Sequence, residues 1–395
     1  MSRGFARAGW TAARRRPHCE APPHAPFPTP AIAAPPPARR PPIPAPRGLP
    51  RGLPRRDEFR PEALFGPDYR RTGPAVLVGG GFSGAGVTRI PTAAGDFALR
   101  RWPAAPPPRA RLSGLHALLA HLRRVDPTLP IAVPATTLAG ETLFPLGDRL
   151  AQFEPWLPGD PLAPTPTPAQ RAAAGVALAR FHAAAESFAP PPAARPYFAP
   201  EAAGAPRSLL DRRERLRAWL DDGAARAAAA LRDEPPSPFR EHGERLLATL
   251  AAVGPSLAAR LEEAARRPVP LAPVLRDVHR EHLLFTGDRV TGLIDPAAAL
   301  TDSPAADLAR LAGSFASPSL EPLIAAYRTV RPLSDEEERL AGTLHDAGAL
   351  LSGLAWVARG TWENHPEART PAALDRLAHF AAVAARLDSP PGVLT

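Results

Sequence analysis

Apolar and polar positions along the chain fall into three textures. Residues 1–58 have no periodic apolar pattern; proline and arginine interleave, as in "APPPARRPPIPAPRGLPRGLPRR". Such a segment buries too little apolar surface to offset chain entropy, so a disordered tail with polyproline II character is expected. Order is expected to begin near Phe59 or Leu64.

The second texture is strand-like. "PAVLVGGGFSGAGVTRIPTAAGDFALRRW" (74–102) predicts β-segments over 75–78, 86–91 and 97–102. A glycine-rich loop joins the first two and the turn "AAGD" joins the last two. Leu112, Leu115, Leu118, Leu119 and Leu122 then recur at helical spacing, which predicts an amphipathic helix over 111–125. Two or three further short strands should precede a Pro/Gly linker near 155–165. From Pro168 the texture becomes helical, with long Ala/Leu/Arg-rich stretches. One interruption, "HLLFTGDRVTGLID" (282–295), reads as a small hairpin across "TGD". The pattern gives strands followed by helices, an α+β arrangement: a tail over 1–58, a strand-rich lobe over 59–157 and a helical lobe over 158–395.

Charge refines the picture. The net charge of +9 and pI near 11 suggest nucleic acid or an anionic surface. The basicity is local, however: residues 1–56 hold 11 Arg against Glu20, and the remainder holds 37 Arg against 38 acids. No nucleic-acid partner is therefore expected for the folded body. All 48 basic residues are arginine, an imprint of coding bias, so arginine counts alone carry little weight. The single cysteine, Cys19, excludes an intrachain disulfide framework. No apolar run approaches the ~18–20 residues that span a bilayer, and "MSRGFARAGWTAARRR" lacks the apolar core of a secretory signal. The body is expected to be soluble and cytoplasmic, with no membrane partner and an oligomeric state left open.

The candidate chemistry lies in "VLRDVHREHLLFTGDRVTGLIDP" (274–296). Phosphoryl transfer needs held phosphates, a placed metal and an acceptor hydroxyl in line with the γ-phosphate. Asp277, then His282 five residues later, then a hairpin closed by Asp295, follow the order of a phosphoryl-transfer catalytic loop. Asp277-x-His279-x-x-His282 also reads as a free-standing metal site.

These residues, with "DSPAADLARL" (302–311), resemble the aminoglycoside phosphotransferase and choline kinase-like family, as a divergent branch covering roughly 65–390. The resemblance implies a two-lobed protein-kinase-like fold and an ATP-dependent phosphotransferase acting on a hydroxyl of a small molecule, with a divalent metal, Mg or Mn. It implies Asp277 as catalytic base, Asp295 as main metal ligand with His282 as a second, and Asp307 as a brace for the catalytic loop, with Arg276 and His279 in supporting positions. Gly80, Gly81, Ser83 and Gly84 would form the phosphate-covering loop. "QFEPWLPG" (152–159), which contains Glu154, would be the hinge whose backbone meets adenine.

The departures from the family pattern are specific. Its N-lobe lysine is replaced by Arg100, with Arg101 as the alternative register, and the exchange is not conservative. The following helix, "RLSGLHALLAHLRRV", has no glutamate, and His116 is not an anion. Leu275 stands for the loop His, and His282 for the metal-binding Asn. Imidazole suits Mn²⁺ or Zn²⁺ better than Mg²⁺. These losses also admit a second reading, a weak or inactive kinase-like protein that binds nucleotide or works as an interaction module. His182, His242, His345 and His379 are expected as core or partly exposed histidines, Trp356 and Trp362 as packing residues, Asp302 as a turn cap, and "DEEER" (335–339) as a solvated helix start.

Overall fold

Alternation and turn chemistry together account for the first lobe. The structure, a computed structural model, describes residues 59–78, 86–363 and 365–388. The tail 1–58 and the loop positions Gly80, Gly81, Ser83 and Gly84 lie outside the described residues. A short helix α1 (Pro61–Phe65) precedes strands β1 (Val76–Val78), β2 (Gly86–Thr92) and β3 (Gly95–Arg101). β2 and β3 pair antiparallel from Gly86↔Arg101 to Thr92↔Gly95, and the turn between them needs the positive φ of Gly95, 111°. Helix α2 (Arg109–Val125) follows, then β4 (Phe144–Leu146) and β5 (Arg149–Pro155). The sheet order is β1-β2-β3-β5-β4.

Strand periodicity sorts β3 and β5 onto two faces. Phe97, Leu99 and Phe153 enter an aromatic core with Phe59, Phe65 and Phe144, where Phe97 and Phe153 stack at 4.7 Å. Arg100, Gln152 and Glu154 occupy the opposite face. The five predicted leucines of α2 are all buried, each contributing roughly 1.5–3 kcal/mol relative to exposure.

A linker pairs the two-residue strand β6 (Asp160–Pro161) with the later hairpin. Gly159, at φ 109°, makes this approach feasible, since a Cβ there would meet the Phe285 carbonyl oxygen at 2.8 Å. The helical lobe opens with α3 (Pro168–Ala185), started by Pro168 and a capping box of Thr167 and Gln170. It continues through α4 (Arg195–Phe198), β7 (Glu201–Gly204), α5 (Arg207–Ala218), a π-helical turn at 219–223, α6 (Ala224–Asp233) and α7 (Pro238–Ala265). Strands β8 (Val269–Val274), β9 (Leu283–Thr286), β10 (Arg289–Leu293) and β11 (Leu300–Asp302) frame the catalytic-loop segment. Helices α8 (Pro304–Ala312), α9 (Glu321–Arg328), α10 (Asp335–Gly360) and α11 (Pro371–Ala385) complete the lobe. β9 and β10 form the expected hairpin, turned at Gly287 with φ 61°. No helix among the described residues is long and apolar enough to cross a membrane.

Trp356 is buried in the helical core, and Trp362 packs on Trp219 at 5.4 Å. The start of α10 differs in one respect from a solvated helix end. Glu337 is buried, closes a capping box with Ser334 and bonds to Arg331 at 3.3 Å. A carboxylate with three such donors tolerates burial that a solvent-facing repeat would not suggest.

Candidate active site

The segment between β8 and β9 is held by one buried carboxylate. Asp307, in the first turn of α8, accepts the backbone N–H groups of Leu275 (2.8 Å) and Arg276 (2.6 Å). Its Oδ2 also accepts from His182 Nε2 at 3.1 Å, and His182 Nδ1 accepts from the Tyr327 hydroxyl at 3.0 Å. All three side chains are buried, so the chain Tyr327–His182–Asp307 fixes the loop from behind. His182 is thus a core histidine with a specific task.

Arg276 has φ 64°, a conformation L-residues reach at a cost of about 1 kcal/mol. Its side chain offsets that cost: Nε lies 3.1 Å from Asp302 and Nη2 3.1 Å from Asp211. Asp302 does more than cap a turn. It is fully buried, accepts the N–H and hydroxyl of Ser208 at 2.9 and 2.8 Å, and anchors α5 to the loop. Burial raises its pKa above the usual carboxylate value, against the opposing pull of Ser208, Ser303 and Arg276.

Beyond Arg276, the Asp277 carboxylate is half exposed, and its Oδ1 accepts from Arg310 Nη2 and Nε at 2.9 and 3.2 Å. The Asp277 carbonyl accepts from His282 Nδ1 at 2.8 Å, which leaves the His282 Nε2 lone pair free. That nitrogen lies 3.9 Å from Asp295 Oδ2. His279 lies against the His282 ring, with centroids 3.7 Å apart. Burial, then the neighbouring His282, pushes the His279 pKa down to about 3, so its imidazole is neutral. The donor atoms of Asp277, His279 and His282 lie within 4.8 Å of one another, close enough to surround one cation.

Asp295 follows β10 in the left-handed region, φ 54°, ψ 54°. Asp tolerates this conformation, and the proline after it disfavours the right-handed alternative. Its Oδ1 faces Arg100 Nη1 at 3.1 Å. Arg100, not Arg101, therefore reaches the site; Arg101 points the other way, toward Asp148. Arg100 Nε also lies 3.8 Å from Glu154 of β5. A carboxylate therefore faces Arg100 from the neighbouring strand β5. Glu154 contributes its side chain to this network. Burial raises the Glu154 pKa, opposed first by Arg100 and then by its bond from Gln152 at 2.7 Å.

Gln152 extends the network inward. Its carbonyl oxygen accepts from Trp102 Nε1 and His116 Nε2, both at 3.1 Å, and His116 Nδ1 accepts from Thr142 at 2.8 Å. Burial lowers the His116 pKa to about 4, so it is neutral at pH 7 and its tautomer is set by these two neighbours. Gln152, Arg310 and the reach of Asp302 to Ser208 escape sequence reasoning because the partners lie up to 94 residues away.

Arg100, Asp277 and Asp295 line one cleft of about 490 Å³, walled on one side by Pro103, Pro106 and Pro107. In the 152–159 stretch the backbone is partly committed: Trp156 N–H donates to the Asp96 carbonyl at 2.9 Å, and Pro155 and Pro158 have no N–H to offer.

This fold and site have relatives. A sequence model of the phosphotransferase enzyme family matches residues 75–342. The homoserine kinase of Methylobacterium sp. (strain 4-46) is 39% identical over 102 residues, 24% of this chain and 32% of that protein. The homoserine kinase of Methylobacterium nodulans is 39% identical over 87 residues, 20% and 27% of the respective chains. The chain thus spans about a third of the length of the curated relatives it matches. Among solved structures, spectinomycin phosphotransferase in complex with ADP and spectinomycin superimposes with a TM-score of 0.58 at 12% identity, over 82% of this chain and 94% of that one. A microcompartment-associated aminopropanol kinase gives 0.55 at 17%, over 81% and 94%. At such identities the likeness establishes the shared two-lobed kinase-like fold. With the family model spanning both lobes and the catalytic-loop segment, the chain belongs to the phosphotransferase enzyme family.

Proposed function

We propose that the protein is an ATP-dependent phosphotransferase whose acceptor is a hydroxyl group of a small molecule. The observation that carries this reading is the convergence of Asp277, Asp295 and Arg100 on one cleft. Asp277 is the general base. Arg310 holds Oδ1 and leaves Oδ2 to take the acceptor proton. Arg100 binds nucleotide phosphate; its guanidinium bridges Glu154 and Asp295 and is positioned to exchange the Asp295 carboxylate for a phosphate oxygen. Glu154 then keeps the guanidinium oriented. Asp307, with Arg276 and His279, keeps the segment that carries Asp277 in place.

The donor set suits a divalent ion. Asp295 Oδ2 and the free Nε2 of His282, 3.9 Å apart, are spaced for ligands of one centre. A carboxylate with an imidazole favours Mn²⁺ over Mg²⁺. Such an ion supplies charge neutralisation to the β- and γ-phosphates. Homoserine, the substrate in the curated relatives' name, is one candidate acceptor, an alcohol that also bears a carboxylate.

ADP formation in the presence of Mn²⁺ is expected to require an added alcohol and to rise with its concentration when sugars, amino alcohols and hydroxy acids are screened. Nucleotide binding without transfer to any alcohol would favour the second reading, a nucleotide-binding module without turnover, which the replaced lysine, loop His and Asn support.

A further inference from the structure

The backbone after Asp277 brings two imidazoles together beside its carboxylate. His279 is extended, at φ −139° and ψ 170°, and the chain then tightens into a 3₁₀ turn over Arg280–His282. The His282 N–H closes that turn on the His279 carbonyl at 2.8 Å. A 3₁₀ turn has three residues per revolution, so positions 279 and 282 eclipse. The two rings accordingly lie face to face, with centroids 3.7 Å apart and planes 36° from parallel. One donor atom from each of Asp277, His279 and His282 lies within 4.8 Å of the other two. In a tetrahedral Zn²⁺ site, ligand atoms about 2.0–2.2 Å from the metal stand about 3.3–3.6 Å from one another. Modest side-chain rotations therefore complete the set.

Ring packing alone would account for the stacked imidazoles, but not for how they are held. His282 donates Nδ1–H to the Asp277 carbonyl at 2.8 Å, the device by which proteins fix the tautomer of a metal-ligating histidine. His279 Nδ1 stands 3.9 Å from Glu281 Oε2, beyond hydrogen-bond reach, so that carboxylate does not tie up the ring. Asp277 is half exposed and both rings are partly exposed, which leaves an ion a way in. The donor set also selects among cations. Arg310 holds Asp277 Oδ1 at 2.9 Å and offsets the negative charge of the cluster. Hard ions such as Mg²⁺ and Ca²⁺ then gain little, because they seek oxygen and charge. Zn²⁺ binds imidazole well and accepts two histidines and a carboxylate with one position left open.

We propose that Asp277, His279 and His282 together form a transition-metal site, fitted to Zn²⁺, whose occupancy inhibits the enzyme. The ion binds without nucleotide, unlike the metal assigned above to Asp295 and the phosphates. Coordination takes the carboxylate that would accept the acceptor's proton and the His282 ring that would share the Asp295 ion. The inhibitory meaning rests on the phosphotransferase reading; the metal site does not.

Titration of the full chain with Zn²⁺ in the absence of nucleotide tests the site, with Co²⁺ as its spectroscopic probe. One equivalent of Co²⁺ is expected to give the visible absorption of a four-coordinate ion, abolished by Zn²⁺ and unaffected by excess Mg²⁺. His279→Gln and His282→Asn should each weaken Zn²⁺ binding by at least about tenfold, the least that disturbing a metal's ligand shell costs. Zinc held by His18, Cys19 and His24 would survive both substitutions and is thereby told apart. Two separate variants keep the test open should one of them fail to fold, and the wild-type Co²⁺ spectrum needs neither. Absence of that spectrum, or a Zn²⁺ affinity that folded variants retain, would overturn the proposal. So would zinc binding that appears only with ATP, which would assign the histidines to the nucleotide's metal. In turnover, Zn²⁺ in excess of the nucleotide that also chelates it should abolish acceptor-dependent ADP formation, and chelator followed by Mn²⁺ should restore it. Undiminished turnover with zinc bound would overturn the inhibitory role. Failure of the phosphotransferase reading would look different: zinc would bind and the variants lose it, while no alcohol supported ADP formation even with Mn²⁺.

Discussion

Asp277→Asn is expected to reduce acceptor-dependent ADP formation by about 10²- to 10⁴-fold, the range for removing a general base. The substitution keeps the size of the side chain and an oxygen for Arg310, which now spans 2.9 and 3.2 Å to Oδ1. What it removes is the carboxylate that would take the hydroxyl proton. Nucleotide binding should be nearly unchanged, because the proposed phosphate side of the cleft, Arg100 and Asp295, is left intact. Steady-state kinetics should place the loss in kcat. A loose transition state demands little proton transfer until late, which favours the lower part of the range. A loss under tenfold would remove Asp277 from the role of base.

Asp307→Ala should have the largest effect on stability. The substitution leaves the buried N–H groups of Leu275 and Arg276 and the His182 ring without their acceptor. Unsatisfied buried donors cost about 1–3 kcal/mol each, and such losses are not additive, so about 3–5 kcal/mol in total is expected. Urea unfolding would show it as a lower midpoint with an unchanged slope. Because the same carboxylate holds the loop that carries Asp277, residual activity at low temperature should fall further than the folded fraction does. A change below about 1 kcal/mol would mean that the loop is held by other contacts.

Local signals were legible in the sequence where structure depends on near neighbours. The leucines of α2 face the core as their spacing predicts, "AAGD" and "TGD" turn the two hairpins, and "DSPAADLARL" marks the start of α8. Features set by register were not legible. Glu154 meets Arg100 because β3 pairs with β5 so that Ala98 faces Glu154 and Arg100 faces Gln152. No spacing within either strand encodes that pairing. The absence of an acid from α2 was readable, but the approach of Glu154 to Arg100 from β5 was not. Arg310 reaches back 33 residues to Asp277, and Asp302 reaches 94 to Ser208. Glu337 looked like one acid among several, and only the proximity of Arg331 distinguishes it.

Asp295 joins Arg100 to His282. Its Oδ1 already engages the guanidinium of Arg100 and its Oδ2 approaches His282, so the proposed phosphate and metal sites meet on one carboxylate. The most direct measurement is calorimetric titration of ATP into wild type and Asp295→Ala, with Mn²⁺, with Mg²⁺ and with chelator. Metal-dependent binding is expected in the wild type, tighter with Mn²⁺, and its loss in the variant. ATP binding that ignores both the metal and the substitution would contradict it.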